Sequence, residues 1–154
     1  AAAAAAAVPS AFVGTGESPS LWNVTLSPGF TTAESDVLRL ALMKFGVGRW
    51  TAIANSGCLP GKTVGQLNRQ TQLLLGQQST AEFNGLHLDA NRVRADNMAR
   101  LERGEFGDAV VIKNGCIVNA GNNRRADEVR RRRAANTTKY ALSDAQIAAV
   151  ELPT

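Results

Sequence analysis

The chain has 154 residues, 44% of them hydrophobic and 5% aromatic, and a formal net charge of +4. That apolar content excludes a wholly disordered tail protein, and the length leaves room for one domain with appendages or two very small ones. The scarcity of rings predicts helical pieces packed on Leu, Val, Ile and Ala, a kind of module that is marginally stable alone. Charge is uneven: stretches 28–78 and 109–154 are basic, 79–108 is net acidic, and 1–27 carries only Glu17. The basic stretches favour acidic partners.

Residues 1–28 combine Ala1 to Ala7 with Gly14, Gly16, Pro9, Pro19, Pro28 and several Ser, which predicts an extended low-complexity arm carrying Phe12, Leu21 and Trp22 as anchors. The alanine run lacks a basic start and is too short to span a bilayer, so it reads as neither signal peptide nor membrane anchor. Thr31-Thr32-Ala33-Glu34 is a capping box, in which hydroxyl and carboxylate satisfy orphan backbone N–H groups. It opens a helix to about Phe45, with Val37, Leu38, Ala41, Leu42 and Phe45 on one stripe. Gly46 and Gly48 end it. Trp50, Ile53 and Ala54 predict a short second helix closed by Asn55, Ser56 and Gly57, and Pro60-Gly61 make a turn. Thr63-Val64-Gly65-Gln66 is a second capping box, starting a third helix that buries Leu67, Leu74 and Leu73 or Leu75 before Gly76. The second and third helices form a helix-turn-helix-like pair.

Beyond Gly76, Ser79-Thr80-Ala81-Glu82 has the same box pattern and predicts a capped helical turn. Asp89 caps a helix over Ala90 to Glu102, with Val93, Met98 and Leu101 on one side. Val110 to Lys113 and Cys116 to Asn119 flank Asn114-Gly115, a strong hairpin signal because both turn residues tolerate positive φ. An Ala/Arg-rich helix is expected from about Arg124 to Asn136, and Ser143-Asp144-Ala145-Gln146 caps a last short one. The resulting organisation is an arm over 1–28, a three-helix domain over 29–76, a helical connector over 77–105, and a hairpin with two helices over 106–154. The fold class is mainly α. The C-terminal half is expected to build no large core of its own and to run across partner surfaces.

The stretch from Phe30 to Leu75 resembles a SANT/Myb-like, homeodomain-like three-helix domain. Phe30-Thr31-Thr32-Ala33-Glu34-Ser35-Asp36 matches that family's aromatic and Thr/acidic opening. Phe45-Gly46-Val47-Gly48-Arg49-Trp50-Thr51-Ala52-Ile53-Ala54 is similar to its Gly-x-Gly-x-Trp step, and Leu59 to Gln66 to its Leu-Pro-Gly-basic-Thr-x-x-Gln turn. The resemblance covers about a third of the chain. It implies a core of Phe30, Leu38, Leu42, Phe45, Trp50, Ile53, Leu67 and Leu74. It also implies a role on DNA or chromatin, for which the third helix offers Gln66, Asn68, Arg69, Gln70 and Gln72, with Lys62 just before it. Gln70 and Thr71 stand where the family carries a basic residue and its third aromatic. One Arg and one Lys make a thin electrostatic footprint. The family's other use, protein–protein packing in a large assembly, needs none of the altered residues.

Arg130-Arg131-Arg132-Arg133, with Arg124 and Arg125 upstream, is the densest charge cluster. Four consecutive helical residues step round the axis by about 100° each. The helix is therefore expected either to project freely or to be sheathed by phosphates or carboxylates of a partner.

No enzyme is expected. Gly57-Cys58-Leu59-Pro60-Gly61-Lys62-Thr63 has three residues between its glycines, where a phosphate-binding loop has four. His87 is the only histidine, and beside Asp89 it lacks a Ser or Cys nucleophile at a recognisable turn, so a structural role near a helix start is expected. Cys58 and Cys116 are too few for a disulfide framework or a zinc cluster, which points to a reducing intracellular compartment. No cofactor, metal, membrane or small-molecule substrate is implied. The leading functional expectation is a structural or adaptor subunit docking on an acidic surface of a large assembly. A ciliary microtubule structure is favoured over a ribonucleoprotein; the alternative is a nuclear, Myb-like DNA- or chromatin-binding protein.

Overall fold

The computed structural model describes residues 24–105, 110–113, 116–119 and 126–153. Phe12, Leu21, Trp22, the Asn114-Gly115 turn, Arg124 and Arg125 lie outside the described residues. Six α-helices make the described part mainly α: α1 (Thr32–Phe45), α2 (Trp50–Ser56), α3 (Val64–Leu75), α4 (Ala90–Glu102), α5 (Ala126–Tyr140) and α6 (Asp144–Ala148). A 3-10 turn at Ala81–Phe83 and two strands, β1 (Val110–Lys113) and β2 (Cys116–Asn119), complete the order.

Local chemistry accounts for most helix ends. The Thr31 hydroxyl accepts from Glu34 N–H while the Glu34 carboxylate accepts from Thr31 N–H, closing the first box. Thr63 with Gln66 and Ser143 with Gln146 repeat it at α3 and α6. Gly57 and Gly76 close α2 and α3 in the left-handed region, which a glycine enters without the Cβ penalty. Gly48, at φ +86, likewise holds a backbone conformation that L side chains rarely adopt.

The box expected at Ser79 does not form. Thr80 makes no side-chain cap bond, and Glu82 is buried. Its Oε1 accepts from Gln77 Nε2 at 2.9 Å and its Oε2 from Asn136 Nδ2 at 3.0 Å. A nearby amide, Gln77, and a distant one, Asn136, have taken the carboxylate that the local pattern assigned to the cap.

One buried cluster joins α1, α2 and α3 to the segments C-terminal to them. Phe30, Leu38, Leu42, Ile53, Leu67 and Leu74 are in it, together with Val47, Leu59, Leu75, Phe83, Leu86, Leu88, Val93 and Tyr140. Phe45 and Trp50 are only partly buried and pack against it, while the loop side chains Val47 and Leu86 are inside it. Backbone bonds tie those loops together, with Val47 N–H donating to Leu86 O and Gly85 N–H to Val47 O. A second, smaller cluster sets Met43 against Val150, with Leu40, Leu142 and Ala149 around them. The C-terminal segments thus fold back on the first three helices instead of running away from them.

The strands pair antiparallel, Val110 opposite Asn119 and Lys113 opposite Cys116. A two-stranded ribbon is unstable alone. Here β2 rests on the end of α3: Ile117 N–H donates to Gly76 O, and Gln78 N–H donates to Ile117 O.

Candidate functional site

Of the residues on which a groove-reading third helix would depend, several are occupied within the fold. Lys62 Nζ lies 2.9 Å from Glu34 Oε2, donates to the Gly29 carbonyl, and sits 4.9 Å from the centre of the Phe30 ring. Its side chain is only 11% exposed. The hydrogen bond from Lys62, first in order of effect, holds the Glu34 carboxyl below its ordinary range, helped by the Thr31 N–H. Gln66 completes the Thr63 cap through its Oε1. Gln70, expected on the exposed face, is 0% exposed. Its Oε1 accepts from Ser27 N–H at 2.7 Å, and its Nε2 donates to Thr25 O and Ser35 Oγ. It clamps the segment before α1 onto α3, so the last residues of the expected arm are packed, with Val24 against the core. Asn68 is half-buried and Arg69 is exposed.

The far end of α3 is closed by side chains from α4. Arg94 Nη1 donates to Leu73 O at 2.9 Å and Asn97 Nδ2 to Leu75 O at 3.0 Å. A helix leaves its last carbonyls unpaired and carries partial negative charge there, so a buried guanidinium is well placed. This polar duty explains why α4 buries Ala90, Val93, Arg94 and Asn97, leaving Met98 and Leu101 half-exposed where an apolar stripe was expected. Cys116 Sγ lies 3.3 Å from Gln72 O; burial pushes its thiol up, partly offset by the Arg94 and Arg69 charges. Such a thiol is structural, not nucleophilic.

Sequence reasoning missed the most buried ion pair among the described residues. Arg39 Nε and Nη2 meet Asp89 Oδ1 and Oδ2, each at 2.8 Å, in a two-pronged pair with side chains 4% and 1% exposed. Asp89 also caps α4 by accepting from Asn91 N–H. Arg39 sits inside the apolar stripe of α1, and that lone cation between Leu38 and Leu40 was the available signal. His87 does hold a structural position: its Nδ1 lies 3.0 Å from Met43 O, and its carbonyl accepts from Leu142 N–H. Because a carbonyl only accepts, Nδ1 carries the hydrogen there.

The arginine helix does not project freely. Helix α5 packs on the 3-10 turn through Asn136 and Tyr140, and it runs past the expected Asn136 end because Tyr140 anchors its last turn in the core. The four arginines divide between its sides. Arg132 pairs with Glu128 at 3.3 Å and Arg133 is half-buried, while Arg130 and Arg131 are exposed.

Tyr140 lies 6.2 Å from the Phe83 ring centre, tilted 59° to it. Its hydroxyl donates to Asp96 Oδ2 at 2.6 Å, and Lys139 Nζ reaches the same oxygen at 3.2 Å. Burial opposes charge on Asp96, but the Tyr140 and Lys139 hydrogen bonds and the Lys139 and Arg92 charges outweigh it and hold this carboxyl low. Burial, then the bond to Asp96, pushes the phenol far above its ordinary value. A group raised on folding contributes stability below its unfolded pKa, about 10 for tyrosine, and loses it as pH rises toward the folded value. Urea unfolding at stepped pH should therefore show stability falling above about pH 10 in the wild type. Tyr140→Phe should flatten that slope while lowering stability at neutral pH by about 1–3 kcal/mol.

Among the described residues, no group of three or more His, Cys, Asp or Glu side chains is placed to hold a metal ion, and no helix is long and apolar enough to cross a membrane. No family model, curated protein or solved structure matches the chain.

Proposed function

We propose that the chain is a non-enzymatic structural or adaptor subunit in which residues 29–76 form a SANT/Myb-like docking module. In this reading, exposed arginines on α5, with Arg124 and Arg125 before it, meet an acidic protein surface of a large assembly. A microtubule-based ciliary structure is the assembly we favour, and a ribonucleoprotein is the other that supplies such a surface. The carrying observation is the internal use of Lys62, Gln66 and Gln70, which removes three of the side chains that groove recognition would employ. Phosphate contacts dominate DNA affinity, so a helix left with one exposed cation binds duplex weakly.

A second reading, a Myb-like DNA-binding protein, is supported by Arg69, which is exposed and has no carboxylate partner among the described residues. Duplex binding measured across a salt titration separates the two. The docking reading expects weak binding that is unchanged by Arg69→Ala and abolished when Arg130 to Arg133 are neutralised. Tight binding with a steep salt slope that collapses in Arg69→Ala would establish the DNA reading instead.

A further inference from the structure

Arg49 and Arg133 come from distant parts of the chain, the N-cap of α2 and the middle of α5, yet they converge on one glycine. A Cβ built on Gly85 would stand 3.3 Å from Arg133 Nη2 and 3.8 Å from Arg49 Nη2. Gly85 has φ +81, and its missing side chain leaves the floor between the two guanidinium groups open. Arg130, exposed one turn before Arg133, extends the same basic strip, since residues three apart are neighbours on a helix.

Several other cations of the chain have carboxylate partners: Arg39 with Asp89, Lys62 with Glu34, Arg132 with Glu128 and Lys139 with Asp96. Neither Arg49 nor Arg133 has a carboxylate partner among the described residues. Two like charges held over one backbone position repel, and an external anion between them would offset that repulsion.

We infer that Arg49 and Arg133, which both approach Gly85, form a docking site for an acidic peptide segment of a partner protein. The inference rests on the docking reading and gives it a location. Planar guanidinium forks recognise carboxylates through paired hydrogen bonds. Two guanidinium groups that come this close to one backbone position suit one or two neighbouring carboxylates. A nucleic-acid strand presents phosphates in a long file and calls for cations strung along a groove.

The test is fluorescence anisotropy of a labelled oligoglutamate peptide with the full chain, using a duplex oligonucleotide as the competing probe. Arg49→Gln and Arg133→Gln should each weaken peptide binding by about tenfold or more, the loss expected when charged hydrogen bonds are removed. Arg69→Gln should leave it unchanged. Arg133 is half-buried, so Gly85→Asp serves as a second variant; it places a carboxylate of the chain's own between the forks. Aspartate tolerates positive φ, and Gly85→Asp should also suppress peptide binding. Peptide binding that ignores Arg49→Gln and Gly85→Asp but vanishes when Arg130 and Arg131 are neutralised overturns this site and leaves the docking reading standing. Duplex binding that exceeds peptide binding and depends on Arg49 overturns the protein partner. Failure of the peptide to bind, with duplex binding lost in Arg69→Gln, overturns both.

Discussion

Asp89→Ala is expected to lower the unfolding free energy by about 3–5 kcal/mol, the range for removing one partner of a buried ion pair. The carboxylate is 1% exposed and receives two parallel bonds from Arg39, so its loss takes the two-pronged carboxylate partner from a guanidinium in the interior. The same oxygen that meets Arg39 Nε accepts from Asn91 N–H, and losing that cap costs about 1 kcal/mol more. Total stability for a domain of this kind is about 5–15 kcal/mol, so one substitution removes a large share. Urea unfolding of Asp89→Ala, Arg39→Met and the double variant gives the coupling directly. The double variant should be more stable than Asp89→Ala, because an apolar side chain in place of the cation removes a buried charge that has lost its two-pronged carboxylate. A loss below about 1 kcal/mol in Asp89→Ala would mean that water reaches the pair. The pair also ties α1 to the start of α4, four residues after Gly85. Peptide binding at Arg49 and Arg133 should weaken in Asp89→Ala even where most molecules remain folded.

What could be read from the chain depends on the range of each interaction. The Thr31, Thr63 and Ser143 boxes and the Asp89 cap close within three residues, so their patterns carry their own partners. Ser79 to Glu82 has the same pattern and fails, because Gln77 and the distant Asn136 compete for Glu82. Arg39 and Asp89 lie 50 positions apart, and nothing local marks them as partners. The arginine run misled for a related reason. A helix need not present one apolar face to pack: α5 docks through Asn136 and Tyr140 at its C-terminal end, which leaves the arginines to divide between half-buried and exposed positions. On α3, position 70 lies in the polar part of the sequence pattern but faces the segment before α1, and only the fold brings Ser27 to it. The convergence of Arg49 with Arg133 belongs to the same class, since neither residue's neighbours point to the other.

Gln70→Ala is expected to cost about 2–4 kcal/mol, combining unsatisfied backbone groups with a small cavity. The side chain is 0% exposed and serves three partners at once: the Ser27 amide, the Thr25 carbonyl and the Ser35 hydroxyl. Ser27→Ala is the informative control. The Ser27 hydroxyl is buried and makes no hydrogen bond among the described residues, while its backbone amide still reaches Gln70 after the substitution. Ser27→Ala should therefore change stability by less than about 1 kcal/mol or raise it slightly. Hydrogen exchange at the Ser27 amide should accelerate in Gln70→Ala far more than at amides inside α3, because the segment before α1 loses its clamp first. Gln70→Arg restores the basic residue that the SANT/Myb-like resemblance places at this position, and it is expected to destabilise at least as much as Gln70→Ala. A guanidinium there either enters the core without a carboxylate or pushes residues 25–27 off α3. Its effect on duplex affinity then bears on the function: if Gln70 has been committed to holding the chain together, Gln70→Arg gains little DNA binding and loses stability. A large gain in salt-dependent duplex affinity with the fold intact would show instead that α3 still lies open to a groove.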